Sequence, residues 1–250
     1  MFRNPLMLSE FRCVGGVLVA ATCLLAACSR PDAGAEINDP HETQNRAVHE
    51  TNVALDRAIF GTAESRQHNI LPPPVAKGLS NAADNLGMPS AVANSLLQGK
   101  PGPALQNTLR FAINTTIGVV GLFDPASAMG VHKDKADFGE TLHVWGAPEG
   151  AFLMIPLAGP STERDLVGSV VDTLLDPLNA INKPESYYLT AGSIAGRVGD
   201  RELYSDTVES ILYESADSYA QLRLLYLQNR HFELGIEADV FDPYEDPYGQ

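Results

Sequence analysis

The chain predicts a mostly helical, single-domain protein with little or no strand, and three observations carry that expectation. Apolar residues recur at the 3.6-residue helical period through most of the chain, whereas alternation at period two is confined to residues 151–157, one short candidate strand. Prolines at 72–74, 101, 103 and 184 fall between the periodic stretches, where they punctuate helices. With 250 residues, 44% of them hydrophobic, the chain is long enough to bury one sizeable core.

Residues 1–27 read as a secretory signal. Arg3 and Arg12 precede an apolar run over 13–27 that is shorter than the ~20 residues a membrane helix needs. The run ends in Leu25-Ala26-Ala27-Cys28, which resembles a bacterial lipobox: small residues fit the peptidase cleft, and the Cys28 thiolate is the nucleophile that takes the lipid. Cleavage before Cys28 removes Cys13 and Cys23, so the mature chain keeps a single, lipidated cysteine and no disulfide. Ser29 stands where an aspartate would favour inner-membrane retention, which points to the outer membrane. Residues 28–38, with Pro31 and Gly34, form the expected lipidated tether. A helical domain follows over 39–236, and residues 237–250, rich in Asp, Glu, Pro and Tyr, read as a disordered acidic tail.

The 31 acidic residues against 17 basic ones give a net charge of −14, which disfavours nucleic acid and anionic membrane surfaces as partners. Contact with lipid must then use apolar surface or a covalent anchor.

The first helix is expected to start with Asp39 as N-cap, Pro40 at N1 and Glu42 closing a capping box. Val48, Leu55 and Ile59 share one apolar strip and Val53 and Phe60 another, with Asn45, His49, Asn52 and Asp56 between them. A polar stripe inside an apolar face is unusual for a surface helix. The pattern recurs over 103–117, where Asn107, Arg110 and Asn114 align beside Leu105, Leu109, Ile113 and Ile117. After Pro160, Asp165, Gly168 and Asp172 align beside Leu166, Val170, Val171 and Leu174. A long helix over 200–230 is expected last, with Val208, Ile211, Ser215, Tyr219, Leu222 and Tyr226 on a heptad-like seam and Asp217, Arg223 and Arg230 beside it. Two accounts of the stripes stay open at this point. They form a satisfied buried network that sets helix register, or they wall a wet passage; polar groups buried bare would cost about 1–3 kcal/mol each.

No enzyme signature appears. Around Ser193 alanines replace both glycines of a nucleophile elbow, and no phosphate loop or dinucleotide fingerprint is present. His41-Glu42 and His49-Glu50 lack the second histidine of a zincin, since Asn45 and Val53 stand there, and no cofactor or metal is expected.

Six ordered motifs resemble the MlaA/VacJ family of outer-membrane phospholipid-transport lipoproteins, from Asp39 to about Arg230. They are Asp39-Pro40-x-Glu42-x-x-Asn45-Arg46 with Asn52 and Asp56; Asn85-Leu86 with Pro89 and Asn94-x-Leu96-Leu97-Gln98-Gly99; and Arg110-Phe111-x-x-Asn114-Thr115-x-x-Gly118-x-x-Gly121-x-x-Asp124-Pro125-Ala126. Asp137-Phe138-Gly139-x-Thr141-Leu142-x-x-Trp145-Gly146, Pro156-x-x-Gly159-Pro160-Ser161-x-x-Arg164-Asp165-x-x-Gly168-x-x-x-Asp172 and a closing Tyr-rich helix over 213–230 complete the set. His49, Glu50, Ala82 and Pro148 depart from the residues common in that family.

The resemblance implies a helical disc with a central amphipathic channel, lying in the inner leaflet of the outer membrane and held by the lipid on Cys28. It implies extraction of mislocalised phospholipids from the outer leaflet and association with a trimeric outer-membrane porin. A periplasmic carrier that feeds an inner-membrane ABC transporter would receive the lipid, and no catalysis is involved. On that reading Asn45, Asn52, Asp56, Arg110, Asn114, Asp165 and Asp172 line the channel, and Gly146 and Gly150 act as hinges. The alternatives are a membrane-anchored periplasmic scaffold and, further off, a lipoprotein hydrolase.

Overall fold

The computed structural model describes residues 37–61, 71–176 and 185–236. The signal segment, Cys28, most of the tether and the tail over 237–250 lie outside the described residues. Within them the chain is helical apart from one β-hairpin, as the periodicity predicts.

Helix α1 (Glu42–Phe60) closes on Gly61 at φ +72, where the amide bonds back to Arg57. Its start corrects the expected cap: His41 is the boundary residue and no side chain caps the helix. Asp39 instead accepts from Asn45 Nδ2 at 2.9 Å, from the Tyr219 hydroxyl and from Arg223. A carboxylate two residues too early to cap is recruited by a guanidinium 184 residues away, because a charged hydrogen bond outweighs a neutral one.

Helices α2 (Pro73–Leu97) and α3 (Pro101–Thr116) both begin on proline, whose missing amide is an orphan there in any case. Between α3 and the one-turn α4 (Pro125–Ala128) the backbone turns left-handed at Val119, Val120 and Gly121. Two β-branched residues at positive φ are strained positions. Gly121 is obligatory there, since a Cβ would come within 2.5 Å of the Asn85 side chain. Helix α5 (Phe138–Val144) is capped by Asp137, which accepts from Glu140 N.

The expected strand appears as β1 (Phe152–Ile155), and the structure adds a partner, β2 (Gly159–Thr162), antiparallel in the register Phe152 to Thr162. The second strand had no alternation to reveal it, being Gly-Pro-Ser-Thr. Thr162 ends it and caps α6 (Glu163–Leu175) by accepting from Asp165 N.

Helix α7 (Glu185–Leu203) lies along α2. Gly196 and Gly199 permit this: a Cβ would fall 2.1 Å from Ala83 Cβ at the first and 2.6 Å from the Ala76 carbonyl at the second. Small residues let two helix backbones approach closely, as they do in membrane helix pairs. The Ala-Gly-Ser-Ile-Ala-Gly run that fails as a nucleophile elbow is thus part of a packing face.

The long helix expected over 200–230 is not continuous. It divides into α7, the short α8 (Ser205–Glu209), a π-turn (Ser210–Glu214) and α9 (Ser218–Glu233). Ser215 is extended, and Asp217 restarts the chain by accepting from Ala220 N at 3.0 Å while pairing with Arg46. Asp217 is a favoured N-cap residue by local chemistry, and its ion pair with Arg46 adds to that placement. No described helix is long and apolar enough to cross a membrane.

Two small apolar clusters form the core, Phe138/Leu142/Val171 and Phe152/Met154/Tyr219. Among the described residues, buried polar side chains outnumber buried apolar ones. Large apolar residues stand on the outside: Leu105 and Ile117 are each 61% exposed while Asn107 beside them is fully buried.

Candidate functional site

The stripes seen in the sequence face inward, and four polar clusters result. On α1, Asn45 ties the helix to the hairpin, donating to the Phe152 carbonyl at 3.1 Å and accepting from Met154 N at 2.9 Å. Two turns on, Asn52 repeats the arrangement with the Ile155 carbonyl and Leu157 N. An amide side chain can hold both a donor and an acceptor of a strand edge, which is why Asn rather than Asp or Leu sits at both positions. Asp56 ends the stripe in a two-point contact with Arg201 at 2.7 and 2.9 Å and accepts from the Tyr213 hydroxyl at 2.6 Å. Burial, and then the hydrogen bond to Asp56, push the Tyr213 hydroxyl up to about 12, so it stays a donor at any physiological pH.

The α3 stripe meets the loop that follows it. Arg110 donates to Asp124 at 2.5 Å, to Ser127 Oγ and to the Val131 carbonyl. Asn114 donates to Asp124 and accepts from Ala126 N. Burial pulls the Asp124 carboxyl upward, but hydrogen bonds from Ser127, Asn114 and Arg110 outweigh it and hold the group at about 2.

The third stripe, on α6, meets α9. Arg230 grips Asp165 at 2.8 and 3.0 Å and Asp137 at 2.8 Å with both terminal nitrogens, and Tyr226 donates to Asp165 at 2.6 Å. Asp172 accepts from Phe138 N, Asn94 Nδ2 and Ser90 Oγ. Burial nevertheless pushes its carboxyl above the ordinary carboxylate value. The fourth cluster is the Asp39–Tyr219–Arg223 group at the start of α1.

Each of the seven expected lining residues therefore has named protein partners. Asn52 and Asp56 also line a cavity of about 310 Å³ between α1, the hairpin turn and α9. Asp165 and Asp172 line a second, of about 260 Å³, with Arg230 and Glu233. Asn45, Arg110 and Asn114 are buried in their networks. The two expected hinge glycines both have positive φ, Gly146 at +87 and Gly150 at +76. A Cβ at Gly150 would strike the Glu163 side chain, while at Gly146 it would meet nothing within 4 Å. Glu149 in the same loop contacts His231 of α9 at 3.0 Å.

Arg201 and Tyr213 escaped sequence reasoning as site residues, because nothing in local spacing links them to Asp56 across 145 and 157 residues. Asp124, Asp137 and Arg230 were visible as motif positions but without a role. No group of three or more metal-ligating side chains occurs among the described residues.

Comparison with known proteins gives one consistent outcome. The family model described as MlaA lipoprotein matches residues 37–233. A Haemophilus influenzae protein named intermembrane phospholipid transport system lipoprotein MlaA is 34% identical over 160 residues, 62% of this chain and 64% of that one. The Escherichia coli protein of the same name is 28% identical over 238 residues, 93% of this chain and 92% of its own. A structure solved in work on the structural basis for maintenance of bacterial outer membrane lipid asymmetry superposes with a TM-score of 0.65 at 29% identity. The match covers 78% of this chain and 98% of that one.

Proposed function

Because this chain belongs to the MlaA lipoprotein family, we propose that it works in intermembrane phospholipid transport, clearing phospholipid from the outer leaflet to keep the outer membrane asymmetric. The observation that carries this reading is the inverted polarity of its helices. In water each exposed leucine or isoleucine forfeits about 1.5–3 kcal/mol of burial, and a monomer rarely shows a contiguous apolar surface. Here Leu105, Leu109, Ile117, Val119, Val120 and Phe123 lie exposed along one helix and the loop that follows. The strained left-handed loop holds Val119 and Val120 outward. Against acyl chains such a face loses nothing, while the polar stripes behind it are satisfied within the protein.

The finer parts of the reading rest on the lipobox and on the family to which the chain belongs. The mature chain is anchored through Cys28 in the inner leaflet of the outer membrane, and its apolar face lies among acyl chains or against a trimeric porin. Lipid passes a central amphipathic channel on its way to a periplasmic carrier that feeds an inner-membrane ABC transporter, with the Gly146–Gly150 loop as the hinge. Movement of lipid, with no bond made or broken, is the whole of the activity.

Two results are expected. A strain lacking the protein accumulates outer-leaflet phospholipid, and the double variant Leu105→Glu/Ile117→Glu fails to correct it although its soluble domain melts within about 2 °C of the wild type, since surface changes stay within ±0.5 kcal/mol. Full correction by that variant would remove the membrane face from the mechanism. Separately, Cys28→Ala protein is expected to lose all metabolic labelling by an alkyne fatty acid; retained label would place the anchor elsewhere.

A further inference from the structure

The cavity beside α1 has a chemical character that the polar stripe in the sequence conceals. Three polar residues line it, and each is already engaged. Both ends of the Asn52 amide hold the hairpin, the two Asp56 oxygens hold Arg201 and Tyr213, and His49 Nε2 meets Ser218 Oγ at 2.8 Å. The Asp56 charge is cancelled by Arg201, whose guanidinium also lies 5.1 Å from the Phe60 ring and does not itself line the cavity. One Arg201 nitrogen, Nη1, has no partner, but it is buried outside the lining. Most of what remains to face a ligand is apolar: Val53, Ile59, Phe60, Met154, Leu212 and Leu222 among others. The volume, about 310 Å³, is at the low end of small-ligand pockets. The rim is apolar too, with Leu157 75% and Ile59 56% exposed.

A charged headgroup entering this space would lose its hydration and find no counter-charge left unpaired in the lining, which is unfavourable in a low-dielectric site. An alkyl chain needs neither. We propose that the cavity between α1, the hairpin turn and α9 holds a single acyl chain, while headgroups stay outside it. This rests on the phospholipid reading above. It sharpens that reading by making the Asn52–Asp56 stripe the rigid back wall of a greasy slot rather than the lining of a wet passage. The chain has two possible sources: a phospholipid in transit or the protein's own lipid on Cys28.

Photolabelling of the full lipidated protein tests this. The protein is placed in phosphatidylethanolamine/phosphatidylglycerol vesicles with a trace of phosphatidylcholine carrying a diazirine at mid-chain, or, in parallel, on its headgroup. The mid-chain probe is expected to mark residues 53–60 and 154–159. Val53→Phe and Ala158→Phe, which fill the slot from opposite walls, are expected to lower that labelling several-fold without changing labelling at Leu105 or Ile117. Equal slot labelling in wild type and Cys28→Ala makes the occupant a free phospholipid; labelling that emerges only in Cys28→Ala makes it the anchor's own chain. Either supports the slot. Slot labelling by the headgroup probe in preference to the chain probe overturns it, as does labelling that neither filling variant alters while both retain wild-type melting. Because the readout is on purified protein, it stands or falls apart from phospholipid clearance in cells.

Discussion

Arg230→Met lowers the stability of the domain by about 3–5 kcal/mol at neutral pH, the usual loss when one partner of a buried pair is removed. Among the described residues the arginine is the only cation that bonds both Asp137 and Asp165, and its side chain is almost fully buried. Methionine keeps much of the volume, so the loss is electrostatic rather than a cavity. The pH dependence separates the two. In the wild type Asp137 is held below the ordinary carboxylate value: burial pushes it up, but the Arg230 hydrogen bond and charge outweigh that. A depressed carboxylate contributes stability that is complete above the unfolded value of 3.8 and is lost as pH falls through the lower folded one. Without Arg230, burial pushes Asp137 the other way, and Asp172 beside it is already raised. Those groups then destabilise the fold when charged and recover when protonated. Denaturant unfolding at pH 7 and pH 4 should therefore show the deficit of Arg230→Met shrinking with acid. A deficit equal at both pH values would mean that packing, not charge, carries the loss.

Gly168→Ala is expected to lose about 2 kcal/mol or more. Helices α5 and α6 cross with Gly168 against Gly139, and a Cβ on Gly168 would lie 2.4 Å from the Gly139 nitrogen and 2.7 Å from its Cα. Backbone cannot swing aside as a side chain can, so the helices must separate; overpacking of this kind costs about 1–3 kcal/mol and occasionally more. Separation would also pull Asp165 and Asp172 from Arg230 and Phe138. Alanine's better helix propensity returns at most about 1 kcal/mol. Gly87→Ala is the control. It lies within α2 with nothing within 4 Å of its Cβ position, and should gain up to about 1 kcal/mol. If Gly168→Ala melts no lower than wild type, the close crossing does not hold the α6 stripe in place.

Much of the architecture was legible because it depends on neighbours in sequence. The proline starts of α2 and α3 and the single alternating segment at β1 are local features. The ordered motifs exposed the family because Gly121, Gly139 and Gly168 are positions where a Cβ cannot fit, while Asn114, Asp124 and Asp165 are bonded in ways few residues can imitate. Where reading failed, a distant partner had decided. Asp39 satisfies every local rule for an N-cap, yet Arg223 and Tyr219 take its carboxylate. The heptad-like seam over 200–230 continues on paper through Ser215, but Asp217 is bound to Arg46 and starts a new helix.

By itself, then, the sequence determined that the chain is helical, that polar residues share stripes on α1, α3 and α6, and that large apolar residues share the faces beside them. A period of 3.6 residues reports which side chains point the same way, and that geometry needs no tertiary information. It does not report what each face meets. Only the tertiary structure decided that the polar stripes turn inward onto the hairpin, Asp124 and Arg230, and that Leu105 and Ile117 stand outside. Those outcomes depend on hydrogen bonds and ion pairs between groups far apart in the chain. Each such bond is settled by the competing partners the fold brings within about 3 Å, and those competitors are invisible until the chain has closed on itself.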